Sequence, residues 1–226
     1  LSSESGVPPG IFGLTGSILL GIHNLKYSDI DLVVYGEENA YRLKRAILRL
    51  IDQDPDFYRA SGEVLEEWAR EIAEVYPLSI EEARILRGRE KWDRIFFRGR
   101  QFSVHPVLDA AREKYGDRVY RGRGLIEVRA RVSSSRYSLF MPAIYEVDRV
   151  EVIRGPDVTD LREIASYESL YTDLAEEGEW IRVFGKLEEV RDLREGGRYH
   201  RVVVGTFEAR GRDYIKPERW YGTRTS

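Results

Sequence analysis

Apolar positions along the chain change their period from helical to alternating. Residues 11–15 form a short apolar run closed by Gly16-Ser17, and residues 18–22 have the spacing of a short helix. After a polar connection at 23–28, Asp29-Ile30-Asp31-Leu32-Val33-Val34-Tyr35 has strand composition and stops at Gly36. The predicted unit is strand, tight turn, helix, strand. Helical spacing follows at 40–51 through Ala40, Leu43, Ala46, Ile47, Leu50 and Ile51, with Glu37 and Glu38 ahead, where the helix dipole favours acids. It returns at 62–76 through Val64, Leu65, Trp68, Ile72 and Val75, and Ser79 with Glu82 forms a capping box for a helix at 80–86. Residues 101–107 alternate, with Gln101, Ser103 and His105 on one face and Phe102 and Val104 on the other, the mark of a half-buried strand. A short helix is expected at 109–115.

From Gly122 onward alternating runs dominate, at 125–132, 144–153, 180–190, 199–208 and 214–216. One helical stretch, 161–175, interrupts them and is stopped by Gly178. Strands broken by a single helix suggest an OB-type barrel. The change of pattern near residue 117 predicts an α/β (α+β) domain with a mixed sheet at 1–116, then a β-rich accessory domain at 117–226.

Composition narrows the function classes only a little. Charged residues make up 33% of the chain, yet the net charge is −3, so no global positive field announces nucleic-acid binding. Absence of Cys excludes disulfides and thiolate metal sites. The apolar run at 18–20 is far too short to cross a membrane, and residues 1–10 lack the charge and apolar core of a signal peptide. A soluble protein with the cytoplasm as default location is expected. A first residue of Leu rather than Met suggests a fragment or a processed form. Scarce Asn, Gln and Met beside abundant Arg and Glu is the bias expected of a thermophilic source.

The chemistry concentrates around two aspartates. Asp29 and Asp31 stand two apart on a strand, so both carboxylates leave the same face while Ile30 and Leu32 turn into the core. Side by side, two carboxylates repel unless a divalent cation holds both ionised, and Mg²⁺ binds through one or two carboxylates plus substrate phosphates. Upstream, Gly16-Ser17 sits at a strand-to-helix turn, where glycine permits close backbone approach and free N–H groups attract anions. A triphosphate cradled by Thr15, Gly16 and Ser17 would reach a cation on Asp29 and Asp31.

Gly16-Ser17, eleven intervening residues and Asp29-Ile30-Asp31 together resemble the signature of the DNA polymerase beta-like nucleotidyltransferase superfamily. The longer stretches at 14–21 and 28–36 look like predicted archaeal members, and the sharp part of the match covers residues 13–36. The resemblance implies Mg²⁺- or Mn²⁺-dependent transfer of a nucleoside monophosphate from an NTP to a hydroxyl, with pyrophosphate released. RNA or another nucleic acid is one class of acceptor. It also implies a third carboxylate on a later strand. The strand at 101–107 offers His105 and no acid, and His105 serves either as ligand or base, or as a structural residue before Pro106. Asp93, Asp109 and Glu127 are other candidates for the third acid.

The run Lys91, Trp92, Arg94, Phe96, Phe97, Arg98, Arg100 has the chemistry to contact phosphates and stack on bases, or to send its aromatics into the core and leave Arg in water. Arg118, Arg121, Arg123, Arg129 and Arg131 either face an acceptor backbone or pair with Glu. Tyr167, Tyr171, Trp180, Tyr199 and Tyr214 are either a stacking surface of the β-rich domain or cross-strand packing. Set against the enzyme is a degenerate nucleotidyltransferase fold that binds nucleotide or RNA, or scaffolds, without turnover.

Overall fold

A computed structural model describes residues 1–222. The chain is mixed α/β and divides into two units, Leu1–Ala69 with Arg84–Ala110, and Arg70–Ala83 with Ala111–Ser226. Among the described residues no helix is long and apolar enough to cross a membrane.

In the first unit, helix α1 (Ser2–Ser5) precedes strand β1 (Phe12–Leu14), helix α2 (Gly16–Leu19), strand β2 (Ile30–Tyr35) and helix α3 (Glu37–Gln53). Strand β3 (Phe57–Tyr58), helix α4 (Gly62–Val75), helix α5 (Ile80–Ile85), strand β4 (Arg94–Phe97) and strand β5 (Arg100–Val107) follow, with α4 and α5 each passing from one unit to the other. The sheet order is β1-β2-β5-β4-β3, with β2 and β5 parallel and the other neighbours antiparallel.

Pleating sorts this sheet into two faces. Leu32, Val34, Val104, Phe102, Ile95 and Phe57 share one, and it is apolar. The amphipathic helix α3 packs against β2, β3 and β5 and buries Ala40, Leu43, Ala46 and Ile47. The other face carries Asp31, Ser103, His105, Arg94, Phe96 and Tyr58.

Two helices expected before residue 117 differ. The 18–22 stretch gives only α2, because Leu20 and Ile22 are 70% and 72% exposed and offer no face to bury. Residues 109–115 are bends rather than a helix. Their side chains are all exposed, and an isolated turn or two without tertiary packing does not hold a helix.

Strands β6 (Arg118–Tyr137), β7 (Ala143–Arg154), β8 (Leu161–Ser166), β9 (Trp180–Asp192), β10 (Arg198–Val204) and β11 (Tyr214–Pro217) form the second sheet. Its order is β10-β8-β7-β6-β9-β11, and β10 also pairs with β9, so the pairings β6-β7-β8-β10-β9-β6 close a circuit. The parallel pair in it is β8 with β10. Ile126, Val128, Ile164, Val183, Leu187, Val202 and Val204 are buried within this sheet.

The helix expected at 161–175 is instead β8 followed by a single 3₁₀ turn, Ser169–Tyr171. Leu161, Ile164 and Ala165 imitate helical spacing, but β8 lies between β7 and β10 and is buried at all but one position. A strand buried on both faces loses its alternation.

The capping box forms as expected. The Ser79 N–H donates to Glu82 at 2.7 Å, and the Glu82 N–H donates to the Ser79 hydroxyl at 3.1 Å. Glu82 also accepts from Lys216 Nζ at 2.9 Å and from the Tyr221 hydroxyl. Burial alone would raise its carboxyl, but the bonds from Tyr221, Ser79 and Lys216 outweigh that and hold its pKa below the ordinary value. A lowered folded-state pKa contributes stability above the unfolded pKa, and that contribution is lost as pH falls through the folded value. Glu82→Ala should cost about 2 kcal/mol in denaturant unfolding near neutral pH, since it leaves the half-buried Lys216 ammonium without this partner. Glu82→Gln should flatten the loss of stability on acidification, and an unchanged acid profile would contradict this account.

Candidate active site

Register between β2 and β5 assembles the site. Asp31 pairs with Ser103 and Val33 with His105, so side chains far apart in sequence share one row or the next. The Ser103 hydroxyl donates to Asp31 Oδ1 at 2.5 Å, and Ser103 is 4% exposed, which pins the carboxylate from below. His105 Nε2 stands 2.9 Å from the Ser103 oxygen and 3.4 Å from Asp31 Oδ1. A hydroxyl has one hydrogen, and with Asp31 receiving it, Nε2–H donates to Ser103 and Nδ1 of a neutral ring is left to accept.

Asp29 lies one residue before β2. Its Oδ2 accepts from the Gln101 amide at 3.2 Å, and the Arg94 guanidinium is 3.7 Å away, a loose pair that leaves the cation free to meet another anion. The side chains of Asp29, Asp31 and His105 are 32%, 21% and 50% exposed, so the cluster opens to solvent.

Gly16 begins α2 with a left-handed φ of +66°, and a side chain there would run into Oδ2 of Asp31. The turn is therefore tucked against the carboxylate it precedes by fifteen positions. The Thr15 N–H donates to the Asp31 carbonyl at 3.0 Å, which ties the turn to β2. Ser17 follows at the second position of α2, half-buried. Thr15, Gly16, Asp31 and His105 are thus held in one cluster, with Asp29 beside it.

Of the other acids considered for a third carboxylate, Asp93 pairs with Lys91 at 3.5 Å, and Asp109 sits against Gly36 at the start of α3. Glu127 is on β6, where it accepts from Arg182 and Tyr214. Ser103 was the residue that sequence reasoning missed: alternation placed it on the polar face, but nothing in its type marked it as the support of Asp31. Among the described residues no group of three or more His, Cys, Asp or Glu side chains is arranged to hold a metal ion.

The basic-aromatic run splits between faces. Trp92 and Ile95 are buried, while Arg94 and Phe96 join the carboxylate face. Phe97 lines an apolar cavity of about 460 Å³ with Phe12, Ile30, Leu32, Phe57 and Phe102. That cavity lies on the opposite side of the sheet from the carboxylates, because Ile30 and Leu32 alternate with Asp29 and Asp31.

In the second unit, Arg118 pairs with Asp192 and Glu113, Arg123 with Glu189, Arg129 with Glu218 and Glu151, and Arg131 with Asp148. Pairing with acids is therefore the reading that holds for these four. Tyr171 and Tyr199 are buried, and the Arg129 guanidinium covers Trp180 at 3.8 Å, so they do not make an open stacking surface.

Known proteins add one relationship. Among curated proteins, the chain is 31% identical over 218 residues to the uncharacterized protein MJ1086 of Methanocaldococcus jannaschii. The chain has an archaeal relative. The alignment takes in 96% of this chain and 61% of that protein, so the chain spans about 61% of the relative's length. No family model matches the chain, and no solved structure matches it.

Ser103→Ala should lower stability by roughly 1.5 kcal/mol, the cost of a lost bond to a largely covered carboxylate. Chemical denaturation checks this, and an unchanged midpoint would mean that the hydroxyl does not support Asp31.

Proposed function

We propose that the chain is a metal-dependent nucleotidyltransferase that moves a nucleoside monophosphate from an NTP to a hydroxyl, with release of pyrophosphate. The observation that carries this reading is the contact of Gly16 with Asp31, which joins an anion-attracting turn to a carboxylate pair on one sheet face. The residues fit Mg²⁺ or Mn²⁺: the donors are hard oxygens, they are open to solvent, and two carboxylates suffice where phosphates and water complete the shell. Asp29 and Asp31 would hold the cation, which when bound neutralises charge developing on the transferred phosphoryl group.

The remaining work falls to other side chains. Glycine at position 16 would let phosphate oxygens approach the backbone, and the Ser17 hydroxyl would add a donor. Arg94, loosely held at Asp29, supplies a positive charge for the phosphates. His105 takes the position of the third acid, and its Nδ1 accepts the proton of the attacking hydroxyl. In the second unit, the closed circuit of strands with its parallel β8–β10 pair is read as an OB-type barrel that shapes or selects the acceptor, RNA being one class.

A second reading has its own support. No acid stands on the β5 face beside Asp31, where Ser103 and His105 are found instead, as expected of a degenerate site that binds nucleotide or RNA without turnover.

Pyrophosphate release from each NTP, with Mg²⁺ or Mn²⁺ and a range of acceptors, separates the two. Asp29→Asn and Asp31→Asn should each abolish turnover, and His105→Ala should lower kcat by about 10²-fold or more while metal-dependent NTP binding persists. Binding without release in the native protein would favour the degenerate reading, and no metal-dependent binding at all would remove both.

A further inference from the structure

We propose that Tyr58, Phe96 and Trp68 form a base-stacking platform of the same site, so that the ligand with its phosphates at Asp29 and Asp31 is a nucleotide gripped through its base. The inference rests on the reading of the carboxylates given above and deepens it. Sheet register supplies the geometry. Ile30 pairs with Phe102, which sets Asp29 beside Gln101; Gln101 pairs with Phe96, and Phe96 with Tyr58. Asp29, Gln101, Phe96 and Tyr58 therefore form one row on one face, roughly 14 Å long at about 4.8 Å per strand. That length matches the reach of an extended nucleoside triphosphate from phosphates to base.

The rings are arranged as a stack. Tyr58 and Phe96 are 5.3 Å apart with planes 5° off parallel, and Trp68 of α4 is 6.0 Å from Phe96 at 16°. Core packing accounts for Trp92 and Ile95, which are 2% and 0% exposed, but Tyr58 stands on the edge strand β3 with 40% of its surface in solvent. An exposed ring at the end of a parallel set is where one more aromatic plane adds, and every base has such a plane. Charge along the row changes in the same order as along a nucleotide. The carboxylates and Arg94 lie at the phosphate end, the Gln101 amide comes next where a sugar would pass, and the uncharged rings lie at the base end.

Calorimetric titration with Mg²⁺ plus either ATP or inorganic tripolyphosphate tests this, on the full chain and on three variants. The native protein should bind ATP at least about tenfold more tightly than tripolyphosphate, the usual worth of one stacked base. Tyr58→Leu should erase that advantage and leave tripolyphosphate binding unchanged, whereas Tyr58→Phe, which keeps the ring, should retain it. Asp31→Asn should weaken both ligands. Equal native affinity for the two ligands, or full ATP affinity in Tyr58→Leu, would overturn the platform while leaving the carboxylate site standing. Failure of the native protein to bind either ligand would overturn both.

Discussion

The parallel pairing of β2 with β5 is the constraint on which the candidate site depends. It sets Asp31 opposite Ser103 and brings His105 to the next position on the same face. Hairpin pairing of β5 with β4 then carries the same face outward to Arg94 and Phe96. A parallel pair cannot be joined by a tight turn, so the chain between them must travel away and return. The intervening segment contains α3, which covers the apolar face, and α4, which brings Trp68 to the polar one. One strand pairing thus decides both which side of the sheet is core and which side is open for chemistry.

Where sequence alone was informative, a strong periodicity met a single environment. Helices α3 and α4 each have one apolar face, and the Ser79–Glu82 reciprocal cap is a local motif closed within four residues. Asp29 and Asp31 could be placed together because strand alternation is geometric. Strand β8 was misleading because its neighbours β7 and β10 bury nearly every position, and which strands flank it is a long-range fact. Residues 109–115 had helical composition but no surface to pack on. Ser103 gave no signal, since a serine in a strand becomes informative only once the residue opposite it is known to be a carboxylate.

Charge in the second unit is largely spent internally. Arg201, 7% exposed, pairs with Glu188 at 2.9 Å and Glu163 at 3.4 Å and lies over the Tyr120 ring at 3.8 Å. Buried pairs of this kind add little net stability over apolar packing, yet removing one partner leaves an uncompensated charge. They bridge three strands, since Arg201 on β10 joins Glu188 on β9 to Glu163 on β8.

The contact between Gly16 and Asp31 also bears on how such a sequence can drift over generations. Since the Asp31 carboxylate fills the space that a side chain at 16 would need, Gly16 cannot be replaced freely while Asp31 stays, whereas a residue no larger than aspartate fits at 31 beside glycine. A smaller residue at 31 would remove the clash, but the left-handed φ of Gly16 would still favour glycine there. Among descendants, aspartate retained at 31 should therefore be accompanied by glycine at 16, whereas glycine at 16 tolerates other residues at 31.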